Sequence, residues 1–483
     1  MSRTHVVIGV VILAVGAACL LRPSTGRSAG ALEEMKRPYH GPLVRGPRDL
    51  AKALAEARRA GIPTTPAGIQ APAPKNNAAP FYEELSREYT TGTPPDTWDA
   101  TERFMADPVH ASKADADVIS RLLRSNARRL RLIHRAAAAP ACVFHRKWSD
   151  GAWILLPEYA AMRSAERWLS RESGMMLREC RFLQAVHNQA LGFRVAQHAA
   201  SDPIFMGYLV AEACDSISLT GMRRILRASG GRRDVAEAVR RALLAHPDKL
   251  NPARSLEGEL VLARATMQKV RHTKDLFRTL AEVGGMEHIG DDGPAASPDA
   301  GSPSGQLQDR GTLQPHFFEY WEDEGESVLI RDYTALIRAA RLPSSRRQAA
   351  IQRIIDEMRA RAKSETSGVV MVDHPDVFFE TLFGLADQYQ PTDRERYETA
   401  ARRVLIAATW ALAYHAKSGK FPESLAQAGA PAITDPYTGA PISYRRNASG
   451  FEIHSHGPAA SEMKPSMSRD LRFQWPASVP SPH

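Results

Sequence analysis

The chain is poor in cysteine. Its 483 residues hold four, Cys19, Cys142, Cys180 and Cys214, with no CxxC pair among them. That spacing excludes a disulfide framework and a zinc finger. Buried free thiols are the expected state, and a Cys180–Cys214 pair stays open in an oxidising compartment. Lysine is also scarce: 12 of the 63 basic residues, the rest arginine. The net charge of +9 is spread among interspersed acids, without the block or stripe that neutralising phosphates requires. No nucleic-acid partner is therefore expected. Aromatics make up 7%. No internal repeat, H-E-x-x-H, G-x-S-x-G or Walker loop occurs. Long apolar runs are missing beyond the first two dozen residues, which excludes a polytopic membrane protein.

One apolar run is present, Val6 to Leu21, flanked by Arg3 and Arg22. As a helix it spans about 24 Å, and snorkelling arginines can make up the shortfall to a bilayer core. Residues 1–22 are read as a signal anchor in which residues 6–21 contact the lipid bilayer. A cleaved signal peptide and a lipoprotein cut before Cys19 are the alternatives. Each carries the bulk of the chain to the periplasmic or extracytoplasmic side. Residues 23–80 read as a Pro/Ala-rich tether with one helix, Asp49–Ala60, and a proline stretch from Pro63 that favours extended backbone.

Helical periodicity then dominates. Residues 81–283 form a helical domain, with helices expected at Val118–Ala138, Glu158–Ser170, Met175–Ala200, Ile204–Ala228, Arg233–His246 and Leu256–Val283. Gly174, Pro203 and Gly230–Gly231 mark breaks. Cys142 to Pro157 reads as non-helical. Residues 284–314 form a flexible linker too polar to fold alone. Residues 315–391 continue the helical domain, with helices at 316–340, 344–363 and 375–388. The fold class expected is mainly α: a single transmembrane helix, a body of helical hairpins, and a small C-terminal α+β unit with an antiparallel sheet over 392–476. Residues 477–483 read as a disordered tail.

The C-terminal unit carries the most information. A helix over 392–417 places Tyr397, Ala401, Val404, Leu405, Ala408, Ala411, Leu412 and His415 on one face. Gly419 stands where a helix end needs positive φ. Phe421–Leu425 reads as a short helix and Asp435-Pro-Tyr-Thr-Gly439 as a turn. Ile442 and Tyr444, then Phe451, Ile453 and Ser455, alternate with polar residues around Asn447–Gly450, the pattern of a hairpin. Leu471, Phe473 and Trp475 supply a third strand, and the apolar face of the sheet should cover the helix.

These motifs, G-x-F-P-x-x-L, D-P-Y-x-G-x-P and a strand ending near S-x-G-P, resemble the C-terminal part of type II secretion pseudopilins. The chain as a whole looks like uncharacterised bacterial envelope proteins that join an anchor and helical body to this ending. Here the apolar run lies some four hundred residues upstream of the sheet, and the prepilin cleavage motif is absent. The resemblance thus implies a similar small fold rather than a place in a pseudopilus. Ala459–Lys464 holds one acid, so the calcium of major pseudopilins is not implied.

Other chemistry reads as structural. Glu452, His454 and His456 share a strand face, but two imidazoles and one carboxylate there read as wet-face polarity rather than a metal site. Glu319, Glu322, Asp323, Glu324 and Glu326 read as a solvated helix end, Phe317, Phe318, Tyr320 and Trp321 as core, and Ser461–Lys464 as a chance S-x-x-K. The positive run from Arg121 to Arg135 reads as a solvated helix face. No catalytic, cofactor or metal residue is assigned and no cofactor is expected. A non-catalytic, membrane-anchored interaction or structural role with envelope protein partners is expected. An envelope hydrolase with a dispersed site and an electrostatic binder of nucleic acid or anionic lipid are the alternatives.

Overall fold

A computed structural model describes residues 48–88, 97–246, 252–272, 315–364, 391–458 and 471–476. The expected anchor at 6–21, the linker at 284–314, the helix at 375–388, Ser461–Lys464 and the tail at 477–483 lie outside these residues. The protein is mainly helical, with one small antiparallel sheet. No helix among the described residues is long and apolar enough to cross a membrane.

The first helices are α1 (Arg48–Arg59), α2 (Ala79–Arg87), α3 (Trp98–Ala106), α4 (Lys113–Ser125) and α5 (Ala127–Ala138). Ser112 caps α4, its Oγ accepting from the Asp115 N–H at 3.0 Å. The single helix expected over 118–138 is two. The Asn126 side-chain amide donates to the Leu122 carbonyl at 2.9 Å and Ser125 Oγ does so at 3.1 Å. The backbone leaves helical geometry at Asn126, with φ −108° and ψ +24°, and both side chains fold back onto the preceding turn. The expected stripe still faces inward, with Ile119, Leu122, Leu130 and Ile133 buried.

After a 3₁₀ turn at Trp148–Trp153 follow α6 (Pro157–Arg178), α7 (Phe182–Ser201), α8 (Phe205–Ala228), α9 (Arg233–Ala245) and α10 (Pro252–His272). Gly174 does not break α6. A Cβ there would stand 2.8 Å from Phe104 Cε1, so the glycine admits α3 against α6. The break falls instead at Cys180, whose φ is +56°, before α7. Gly230 and Gly231 separate α8 from α9 at φ +62° and +78°, as their sequence suggests.

Then come α11 (Pro315–Ala340), α12 (Ser344–Ser364) and α13 (Pro391–Ser418). In the acidic run of α11, Asp323 and Glu326 are not solvated. Both are buried, and Glu326 Oε1 accepts from Arg264 Nε of α10 at 2.7 Å. The side chains of Glu319, Glu322, Glu324 and the aromatic group Phe317–Trp321 lie outside the described set.

Helix α8 lies in all three large apolar clusters. Phe205 and Tyr208 pack with α1, α10, α11 and α12. Val210, Ala211 and Cys214 pack with α2, α5, α6 and α7. Leu219, Met222, Ile225 and Leu226 pack with α7, α9, α13 and the sheet. The described part of the expected tether is also packed. Ala53 and Ala57 of α1 share a cluster with Leu336 and Ile337, while Ile69 is buried beside Trp148 and Val261. Proline removes N–H groups but leaves carbonyls, and arginines take these. Arg341 reaches the Ala60 and Gly61 carbonyls at 2.8 and 3.0 Å, Arg254 reaches Ile69, and Arg264 reaches Thr64.

The sheet runs β1 (Ser443–Arg446), β2 (Phe451–His454), β3 (Arg472–Trp475), with β2 central and both pairings antiparallel. Tyr444 opposes Ile453, and Ile453 opposes Phe473. Phe451, Ile453 and Phe473 are fully buried in one cluster with Val404, Ala408, Ala411 and Leu412 of α13. Helix α13 also packs on α8 and α9, so its apolar residues serve two partners. Phe421–Leu425 is irregular, bending at Glu423 and Ser424, rather than a helix. His415 stacks on Phe421 with ring centroids 4.0 Å apart, closing the lower edge of this core.

Phe451→Ala should cost about 3–5 kcal/mol, the range for a buried aromatic truncated to alanine. A denaturant titration followed by tryptophan emission measures it, and a change below about 1 kcal/mol would contradict the packing described.

Candidate functional site

The C-terminal unit gathers most of the residues singled out by sequence. Asp435 organises it. The carboxylate is buried; Oδ1 accepts from the Tyr437 N–H at 2.8 Å and Oδ2 from the His456 N–H at 2.7 Å. His456 Nδ1 stands 3.2 Å from the same Oδ2. The Asp435 carbonyl accepts from Gly439, whose φ is +71°, so the expected turn forms. Burial raises the carboxyl's pKa, but the N–H bonds from His456 and Tyr437 outweigh it and hold Asp435 below its usual range. One side chain thereby ties the turn before β1 to the end of β2.

The outer face of the sheet is charged. Glu452 lies at its centre, 3.2 Å from Arg445 on β1 and 2.8 Å from Arg472 on β3. His454 Nδ1 is 3.6 Å from Glu452 Oε1. The trio Glu452, His454 and His456 does not converge on one point, because His456 turns to Asp435 and the two imidazole centroids lie 6.0 Å apart. Among the described residues no group of three or more His, Cys, Asp or Glu could hold a metal ion. Tyr444, on the inner face, donates to the Pro422 carbonyl at 2.6 Å, and burial lifts its phenol to about 12.

The helical body holds polar groups that sequence reasoning missed. Glu166 of α6 is fully buried and accepts from Ser218 Oγ of α8 at 2.7 Å. A Cβ at Gly192 of α7 would meet Ser218 Oγ and Glu166 Oε1, and one at Gly221 would collide with Gln189. Burial lifts the Glu166 carboxyl to about 8, so it is largely protonated at neutral pH. Tyr82 of α2 hydrogen-bonds His198 Nδ1 at 3.0 Å, and His198 Nε2 bonds the Ala139 carbonyl at 3.0 Å. Burial lowers that imidazole to about 4. A neutral ring with Nε2–H donating to Ala139 leaves Nδ1 to accept from the Tyr82 hydroxyl. Arg146 pairs with Glu158 and Asp202 in the interior, between the rings of Phe144 and Tyr159.

These groups join helices and are buried. A cavity of about 10 Å³ between α8 and α13, lined by Ser216, Thr220 and Ala401 among others, has room for about one water. Cys142 and Cys214 are buried free thiols as expected. Cys180 is exposed rather than buried, and it is not paired with Cys214. The charged outer face of the sheet is therefore the candidate functional site. No family model, curated protein or solved structure matches the chain.

Asp435→Ala should cost about 1–3 kcal/mol by leaving the half-buried N–H groups of Tyr437 and His456 without their acceptor. Because the folded carboxyl titrates below its ordinary 3.8, its contribution is present above that pH and fades as pH falls further. The alanine variant should thus differ most from the parent near neutrality and least in acid, by thermal unfolding across pH.

Glu166 has the opposite sign. Its folded pKa is raised from 4.5 to about 8, so its stabilising protonated form is kept at low pH and lost as pH rises through that window. The difference in unfolding midpoint between Glu166→Gln and the parent should shift in favour of glutamine from pH 5 to 8. A pH-independent difference would contradict a buried, protonated Glu166. Glu259, lifted to about 7, and His246, lowered to about 4, are common to both proteins and cancel in this comparison.

Proposed function

We propose that this chain is a non-catalytic envelope protein with an interaction or structural role, held in the cytoplasmic membrane by residues 6–21 with its body on the extracytoplasmic side. Its C-terminal helix and sheet form a unit similar in kind to that of type II secretion pseudopilins, carried at the end of a helical body instead of directly on the membrane helix. The observation that carries this reading is the agreement of α13, Gly419, the Asp435 turn and the hairpin with the motif order from which the likeness was drawn. The charged outer face of the sheet supports the interaction role, since its inner face is spent on α13. The sealed interiors around Glu166 and His198 suit struts between helices better than reacting groups, which need access to substrate.

Cell fractionation tests it. The full chain should pellet with membranes and resist extraction by high salt, whereas a chain lacking residues 1–22 should move to the soluble fraction. Full-length protein recovered in the soluble cytosol defeats the proposal.

A further inference from the structure

We infer that the free edge of β1 is a docking site for an acidic, extended segment of a partner protein, which adds to the sheet as a fourth strand. This rests on the reading of the C-terminal unit as an interaction module.

The hydrogen-bond phase of the hairpin decides which groups are free. Asn447 N–H donates to the Gly450 carbonyl at 3.0 Å, closing the turn. In an antiparallel pair, bonded and non-bonded pairs alternate. Ser443 and Arg445 therefore bond β2, and Tyr444 and Arg446 point their N–H and C=O groups outward. The Ser455 N–H to Leu471 carbonyl bond, 2.9 Å, is in phase with this on the β3 side.

The two margins of the sheet then differ. On β3, Arg223 of α8 fills the outward carbonyl of Arg472 at 2.6 Å. On β1, the segment before the turn covers only the start. Ile442 N–H donates to the Ile433 carbonyl at 2.8 Å, and Thr434 bridges Pro441. Beyond that, the backbone N–H and C=O of Tyr444 and Arg446 have no hydrogen-bond partner among the described residues. Ile442 shows that this margin accepts a backbone neighbour.

Charge selects the occupant. Arg445 and Arg472, 76% and 58% exposed, share the single carboxylate of Glu452, which leaves one positive charge in excess on the outer face. Arg446 pairs with Glu423. An added strand places a side chain directly opposite Arg445, about 4.5–5.5 Å away, where an acid is attracted and a base repelled. A second copy is disfavoured by the same rule. The antiparallel arrangement that uses all four free groups pairs Tyr444 with Arg446 of the other chain and sets Arg445 against Arg445. A strand carrying Glu or Asp at alternate positions satisfies both backbone and charge, the mode known as β-strand addition.

The test uses the full chain in detergent micelles and a fluorescent peptide, Glu-Val-Glu-Val-Glu-Val-Glu, read by anisotropy. Its lysine counterpart and an N-methylated version, which cannot donate backbone hydrogen bonds, are the comparisons. The Glu peptide should bind, and both comparisons should bind at least tenfold more weakly. Arg446→Pro removes an outward N–H and should weaken binding at least tenfold. Arg446→Ala, which keeps that N–H, should bind far more nearly like the parent. Arg445→Gln should weaken it several-fold. Should Arg446→Pro fail to fold, judged by circular dichroism, the N-methylated peptide decides alone. No binding, equal binding of the N-methylated peptide, or equal binding of the lysine peptide overturns the inference. A chain that pellets with membranes yet ignores the Glu peptide sinks this inference alone. A soluble chain that binds it sinks only the anchor.

Discussion

The guanidinium of Arg402 ties the C-terminal unit to the helical body. It leaves α13 and bonds Asp215 of α8 at 2.5 Å and the His246 carbonyl at the end of α9 at 2.7 Å, while its plane lies 4.7 Å over the ring of Phe193 on α7. Arg402, Asp215 and Phe193 are buried and His246 is half-buried. Burial raises the Asp215 carboxyl and the arginine opposes it, with burial the larger influence. Removing one partner of such a pair typically costs about 3–5 kcal/mol, because the other is left charged in the interior. The pair also sets direction. A planar fork that must meet a carboxylate and a carbonyl at once fixes the rotation of α13, and so decides which of its faces is left for the sheet.

Helix α8 gives the body its unity. Its first turn belongs to one apolar cluster, its middle to a second and its last turns to a third. Each cluster draws on residues far apart in sequence. Cooperative packing across the chain follows from one helix buried on nearly every side, and glycines at 207 and 221 allow its neighbours to approach.

Helix positions were legible because periodicity is local. The spans of α8, α9, α11, α12 and α13 agree with the sequence pattern to within a residue or so. So was the sheet: alternation around Asn447–Gly450 marked Phe451, Ile453 and Phe473 as its inner face. Errors arose where a local signal had a distant cause. Gly174 looked like a break and is a contact for Phe104. Asn126 looked like helix interior and is the joint between two helices, its side chain folded back on Leu122. The acids at 323 and 326 looked solvated because Arg264 is 62 positions from Glu326. The Asp215–Arg402 pair, 187 positions apart, had no sequence signature. The free margin of β1 was likewise hidden, since hydrogen-bond phase follows from register and not from side-chain type.

The grip of arginines on the proline-rich stretch changes what that stretch can do. As a free leash, residues 48–70 could extend roughly 80 Å, at about 3.5 Å per residue. Packed on α10 and α11 and gripped by Arg254, Arg264 and Arg341, those residues have no such reach. They serve as a wall of the helical body, adding buried apolar surface where a spacer would add only length.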